Sequence, residues 1–483
     1  MDRRFFLKTT FAAAAGIASY GFADSNNRKP NIIVIMADDL GWGDLGCYGH
    51  QVIRTPNIDK LAREGTLYTN FYCNASICSP TRAAMMTGRF PGRVGVHSQI
   101  STRERMESIN SAYCLDTRYP MLPRMLQEAG YHTMHIGKWH LSEWLHKNPD
   151  QPRPSEYGFD DYLLPYLNWP KCKYGDKWQQ KTHRPYATEL FVDQGIKYLQ
   201  SRENSDNPFF LQMWLVDPHD PLIPKVEQMQ HYNHMKPGQP YNEGDDKYLE
   251  PNRIWYSVVT EMDRQLGRLF DAVDRLGMSE DTYIIFTSDN GAANPQAYDT
   301  YIGWGSNGPF RGQKGSLYEG GIRTPFIVRC PGRVPAGRVD DESVISGVDF
   351  MPTFSSIAGY KKKAAYEQDG EDVSYALGGK TFQRNKPLMW QWRYGQARGA
   401  IHQSPMLAVR EGRWKLLANP DRSRIELYDV AADPSELDNK ADANPELVRQ
   451  LFKKLIEYHK SLPDAAEGPY DKNAGKNTYA WPK

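Results

Sequence analysis

The sequence predicts an α/β protein: a large, mostly parallel sheet sandwiched by helices, with a smaller C-terminal α+β subdomain. Three observations predict it. From Asn31 onward, short apolar runs alternate with stretches of helical periodicity, the pattern of parallel strands joined by crossover helices. Several of these runs end in aspartate, asparagine, lysine or histidine, which is where open α/β sheets bind ligands. After Pro387 the alternation gives way to closely spaced β-like runs and one final helical stretch.

Taken in order, the first 23 residues read as an export signal. Arg3-Arg4-Phe5-Phe6-Leu7-Lys8 precedes a mild apolar stretch at 11–17 and the small residues Gly21 and Ala23, a layout resembling a twin-arginine leader cleaved near Ala23. Residues 24–386 form the main unit. Residues 31–36 make a buried strand. Residues 56–64 and 122–129 are helices stopped by Gly65 and Gly130, because glycine tolerates the positive φ of a helix end. Further strands fall at 133–136, 209–216, 283–287 and 326–328. Between them Val258, Val259, Met262, Leu266, Leu269, Phe270, Val273 and Leu276 mark one face of a helix ending at Gly277. In the final unit, 387–483, short strands at 406–409, 414–417 and 426–428 precede a helix at 446–459.

Composition excludes some functions. Lysine plus arginine total 59 against 58 acidic residues, so no global field draws in nucleic acid or an anionic membrane. Beyond the leader no apolar run reaches the roughly 20 residues that span a bilayer, so no stable membrane insertion is expected. The six cysteines, at 47, 73, 78, 114, 172 and 330, lack the close pairing of a zinc site.

The polar strand ends carry the chemistry. The run at 31–36 leads into Asp38 and Asp39, the run at 133–136 into Lys138 and His140, the run at 209–216 into Asp217 and His219, and the run at 283–287 into Asp289 and Asn290. Each pair alone is what a turn or helix cap would use. Their recurrence at one sheet edge points instead to a site. Three aspartates and an asparagine amide are hard oxygen donors, suited to calcium or magnesium rather than zinc. Two histidines and several cations beside them suit an anionic ester whose leaving oxygen needs a proton.

Cys78-Ser79-Pro80-Thr81-Arg82, followed after four residues by Thr87-Gly88, fits C-x-P-x-R-x(4)-T-G. A second signature runs from Gly130 through Gly137-Lys138-Trp139-His140. With these motifs the chain resembles the type I, formylglycine-dependent sulfatases of the alkaline-phosphatase-like superfamily, from about Pro30 to Asn439. The resemblance implies that a sulfatase-maturating enzyme converts Cys78 to Cα-formylglycine, whose hydrate, a gem-diol, attacks sulfur and then expels sulfate from a covalent intermediate. It implies one calcium ion held by Asp38, Asp39, Asp289, Asn290 and an oxygen of modified Cys78. Arg82 and Lys138 orient the nucleophile, Lys314 holds sulfate, His219 is the general acid and His140 the base that collapses the intermediate.

Two other readings compete. A phosphatase of related architecture would want a serine or threonine nucleophile and two zinc ions, and the histidine-rich set is missing. A binding protein for sulfated glycans would have no use for nucleophile, metal and acid–base residues together. For the substrate, residues 162–184 interleave Tyr166, Trp169, Tyr174 and Trp178 with Lys171, Lys173, Lys177 and Lys181, which suits stacking on sugar rings and pairing with further sulfates. The expectation is a sulfated galactan or glycosaminoglycan fragment, met by a periplasmic or secreted enzyme.

Overall fold

The computed structural model describes residues 28–142, 151–164, 173–174, 177–178, 184–235, 251–293, 305–361, 367–393 and 402–463. The export signal therefore lies outside the described residues. So do Tyr166, Trp169, Lys171 and Lys181 of the aromatic and lysine-rich stretch, while for Lys173, Tyr174, Lys177 and Trp178 the backbone pairing alone is described.

Fifteen strands occur among the described residues: β1 (Asn31–Ala37), β2 (Thr66–Tyr72), β3 (His132–Gly137), β4 (Asp161–Leu163), β5 (Lys173–Tyr174), β6 (Lys177–Trp178), β7 (Phe209–Trp214), β8 (Thr282–Ser288), β9 (Arg323–Arg329), β10 (Arg338–Asp340), β11 (Ile345–Ser346), β12 (Leu388–Gln391), β13 (Leu407–Glu411), β14 (Trp414–Ala418) and β15 (Glu426–Asp429). The large sheet has the order β10-β2-β9-β8-β1-β7-β3-β4, with β11 also paired to β2. Its pairings are parallel except at β9, which runs against both β2 and β8. The expected α/β sandwich is therefore present, with one reversed strand.

The central strands are apolar on both faces because both faces are covered. Along β1, Ile32, Val34 and Met36 enter one core cluster while Ile33, Ile35 and Ala37 enter the other. Each isoleucine of this strand is fully buried and contributes about 2 kcal/mol. The helices Cys78–Thr87, Leu122–Glu128 and Phe350–Ile357 cover the first face. The helices Pro56–Arg63, Ala187–Arg202 and Pro251–Arg275 cover the second.

Two elements go beyond the sequence reading. β2 mixes Thr66, Thr69 and Asn70 with aromatics, which hides a strand whose faces are nevertheless almost wholly buried. In Ala187–Arg202 the polar pair Asp193 and Gln194, followed by a glycine, interrupts the apolar stripe.

The antiparallel sheet β12-β13-β14-β15 and the helix Pro445–Lys460 share a third core cluster with Tyr72, Cys73, Ile77 and Ala84 of the main unit. Trp390 Nε1 donates to the Cys73 carbonyl at 2.8 Å. At this junction a fully buried Lys415 lies 2.9 Å from Glu319 and 2.9 Å from Glu436. Glu436 also accepts from the Glu319 N–H at 2.6 Å, and Arg311 donates to the Glu436 carbonyl at 3.2 Å. The second sheet thus grips residues 311–319, the stretch just before β9.

Candidate active site

The four polar strand ends follow β8, β1, β7 and β3, which are consecutive neighbours in the sheet. Their residues therefore meet at one edge. Because β9 is reversed, it is the segment before it, carrying Lys314, that reaches the same edge.

Cys78 opens the helix Cys78–Thr87, whose residues are all buried. Pro80 lies in the first turn, where a backbone N–H has no helical acceptor, so its missing N–H costs nothing. Arg82 comes four residues after Cys78 and shares its face. Gly88 ends the helix at φ 66, with its N–H bonded to the Ala84 carbonyl at 2.8 Å. The C-x-P-x-R-x(4)-T-G spacing is in this respect the layout of one capped helix. In the second signature, Gly137 adopts φ 108, and a Cβ there would lie 2.0 Å from the Trp214 carbonyl oxygen. Glycine lets β3 turn sharply before Lys138.

The side chains converge. Asp38 lies 2.5 Å from Lys138 Nζ, 3.3 Å from Arg82 and 3.4 Å from Cys78 Sγ. Lys138 Nζ is 3.6 Å from the same sulfur. Arg82 also pairs with Asp289 at 2.8 Å and donates to the Lys138 carbonyl at 3.0 Å. Trp214 backs its guanidinium, with the ring centroid 5.0 Å away. Lys314 Nζ is 2.7 Å from both oxygens of Asp39. Asn290 donates to Asp39 at 2.7 Å, and Asp289 accepts from the Asp39 N–H at 3.1 Å. His219 Nε2 lies 3.6 Å from Asp39, and its Nδ1 donates to the Asp220 carbonyl at 2.8 Å. His140 borders the cluster, and its Nε2 is 3.1 Å from the Ile100 carbonyl.

Burial sets the protonation of these groups. It raises the Asp38 carboxyl, but Lys138, His219, Arg82 and Lys314 outweigh it and hold the group well below the usual range. Asp289 is pushed up to about 6, first by burial and then by the charge of Asp38. Burial, with Asp289 and Asp38, raises the Cys78 thiol, so unmodified Cys78 stays protonated and poorly nucleophilic. His219 is driven down to about 4 by burial and Lys314, and His140 well below its usual value by burial, Lys138 and Arg82.

Asp38, Asp39, Cys78 and His219 each offer a ligand atom within 4.8 Å of the others. Beside them, Asn290 Oδ1 is buried and accepts no hydrogen bond. A carbonyl-type oxygen left unpaired in such a place is costly unless a cation uses it. Asp38, Asp39, Asp289 and Asn290 together offer an all-oxygen donor set, which suits a hard dication. Sequence reasoning missed Trp214, which nothing distinguishes from a core tryptophan before the strand order is known. It also missed the Glu319, Lys415 and Glu436 cluster, whose members are far apart in the chain.

Such a charge-paired centre at the carboxyl edge of a helix-covered, mostly parallel sheet suits a hydrolase of anionic esters. The chain belongs to the sulfatase family, whose model matches residues 30–360, and it is a sulfuric ester hydrolase. A second model, described as N-sulphoglucosamine sulphohydrolase, C-terminal, matches residues 308–461. The chain is similar to N-acetylgalactosamine-6-sulfatase of Canis lupus familiaris, 32% identical over 77% of this chain and 70% of that one. It is also similar to N-acetylgalactosamine-6-O-sulfatase of Bacteroides thetaiotaomicron, 28% identical over 89% and 93%. Among solved structures, Ps i-CgsB in complex with k-i-k-neocarrahexaose superposes with a TM-score of 0.77 at 27% identity, covering 93% of this chain and 97% of that one.

Proposed function

We propose that the enzyme removes sulfate from a sulfated carbohydrate, a galactan or glycosaminoglycan fragment, using Cα-formylglycine made from Cys78 by a maturating enzyme. The observation that carries the reading is the setting of Cys78: buried, 3.4 Å from Asp38 and 3.6 Å from Lys138, at the start of a helix. As a thiol it is held protonated there, whereas a hydrated aldehyde presents two hydroxyls to the same carboxylate and ammonium. The relatives named for N-acetylgalactosamine sulfate and the neighbour solved with a neocarrahexaose support a sugar substrate.

Asp38, Asp39, Asp289 and Asn290 would hold calcium, which supplies Lewis-acid polarisation of the nucleophile and of a sulfate oxygen. Arg82 and Lys138 keep the nucleophile in register through Asp38. Lys314, with Lys138, meets the sulfate charge. His219 donates its proton to the departing sugar oxygen; an approaching sulfate monoanion raises its proton affinity and counteracts Lys314. His140, neutral in its buried position, then takes a proton from the sulfated residue 78 as sulfate leaves. A twin-arginine signal at 1–23 would deliver the catalytic unit 24–386 and the appended unit 387–483 to the periplasm or medium, where such polysaccharides occur.

The test combines peptide mass spectrometry of residue 78 with turnover on defined sulfated oligosaccharides. Full activity with only unmodified cysteine at position 78 would reject the nucleophile, and inertness on every sulfated saccharide beside activity on an aryl sulfate would reject the substrate class.

A further inference from the structure

We propose that Ser79 is a positioning residue for His140, acting through the backbone of Ile100, whose N–H it holds on one side of the Cα while the carbonyl on the other side meets the imidazole. The inference deepens the reading of His140 as the base, and its kinetic consequence rests on that reading. Ser79 is fully buried, and its Oγ accepts a hydrogen bond from the Ile100 N–H at 2.9 Å. The carbonyl of the same residue lies 3.1 Å from His140 Nε2. A carbonyl oxygen only accepts, so Nε2 carries the ring proton and Nδ1 keeps the lone pair. Nδ1 is buried and has no hydrogen-bond partner among the described residues, so no described protein group claims its lone pair.

Two constraints hold this arrangement. His140 sits at φ 57, a left-handed conformation that a residue with a side chain keeps only where its surroundings enforce it. The opposite tautomer would set the Nε2 lone pair against the Ile100 oxygen. That penalty lasts only while the Ile100 carbonyl stays in place, and the loop bearing it belongs to no strand. Ser79 fixes it from one side, and the bond from the His97 N–H to Ser111 Oγ at 3.0 Å fixes it from another. Since Ser79 directly follows Cys78, the group that orients the base is bonded in sequence to the nucleophile-bearing residue.

The test uses the full chain, with conversion of residue 78 measured by peptide mass spectrometry so that rates refer to converted molecules. Ser79→Ala removes the acceptor for the Ile100 N–H, and Ser79→Thr restores a hydroxyl. Long-range proton–nitrogen correlation spectra of the imidazoles report the tautomer, with His140 assigned by its disappearance in His140→Gln. The wild type should show a protonated Nε2 and an unprotonated Nδ1, Ser79→Ala an averaged pair, and Ser79→Thr a return to the wild-type pattern. In Ser79→Ala, kcat should fall about tenfold with KM little changed and with sulfated residue 78 accumulating, a part of the roughly 10²- to 10⁴-fold that a general base supplies. A wild-type tautomer pattern in Ser79→Ala, or no recovery in Ser79→Thr, would overturn the inference. Undiminished turnover in His140→Gln would instead overturn the reading of His140 as base, while the spectra decide the Ser79 contact independently.

Discussion

Replacing Lys415 with methionine should destabilise the protein strongly at neutral pH and much less in mild acid. Lys415 is fully buried between Glu319 and Glu436, each 2.9 Å away. Burial alone would raise the Glu319 carboxyl, yet Lys415, Arg323 and Arg410 hold it at about 2 against an ordinary 4.5. That depression corresponds to about 3 kcal/mol of stability, present above pH 4.5 and lost as pH falls toward 2. Glu436 has the opposite sign. Burial pushes it up to about 7 despite Lys415, so its contribution is present below pH 4.5 and lost as pH rises through 7. At pH 8 both carboxylates are charged, and removing their shared ammonium takes that cation from Glu436 and leaves Glu319 to Arg323, a cost of about 3–5 kcal/mol. For a chain of 483 residues this lowers Tm by about 4 °C. At pH 5.5 Glu436 is protonated and Glu319 keeps Arg323, 3.3 Å away, so about half that loss is expected. Thermal unfolding by calorimetry at both pH values provides the measurement, and Lys415→Met combined with Glu436→Gln should recover part of the loss and abolish its pH dependence. A shift at pH 8 indistinguishable from zero, or an equal shift at both pH values, would refute the assignment of charges.

Asp289→Ala should lose bound calcium and turnover together while the fold persists, measured by elemental analysis and circular dichroism; two zinc ions and no calcium in the wild type would contradict the hard-donor assignment. Lysine in place of both Arg3 and Arg4 should leave the uncleaved precursor in the cytoplasm, and immunoblots of fractionated cells showing normal export would transfer it to another route. Trp169→Ala and Trp178→Ala should each reduce kcat/KM on sulfated oligosaccharides by about tenfold, the equivalent of a lost ring contact of about 1.5 kcal/mol, and leave an aryl sulfate unaffected. Equal loss on both substrates would remove these tryptophans from the sugar site.

The legible part of this protein was the part written locally. The strand at 31–36 is a continuous apolar run, and the helix beginning at Cys78 is punctuated by Pro80 and Gly88. Asp38, Asp39, Asp289 and Asn290 stand out because each follows a strand. The direction of β9 had no such signature. Arg323 to Arg329 would read the same in either orientation, and only the register with β8 shows that Lys314 approaches from the strand's leading end. β2 was hidden because Thr66 and Asn70 are buried by bonding to the Pro335 and Asp341 carbonyls, contacts more than 250 residues away in the chain. The Lys415 cluster was illegible for the same reason. A buried lysine is recognisable only once its two carboxylates, from different units, are brought to it.

The enclosure of Cys78 fixes an order of events. The side chain is 3% exposed, every residue of its helix is buried, and the Gly315 N–H closes over the Ser76 carbonyl at 2.9 Å. A modifying enzyme that gripped the chain on both sides of the cysteine would find those residues packed away in the folded protein. If residue 78 is oxidised as proposed, its burial favours oxidation before residues 305–322 and the second sheet have packed around it. A molecule that folds first is committed to the thiol, so the inactive fraction in any preparation becomes a record of a race between oxidation and folding.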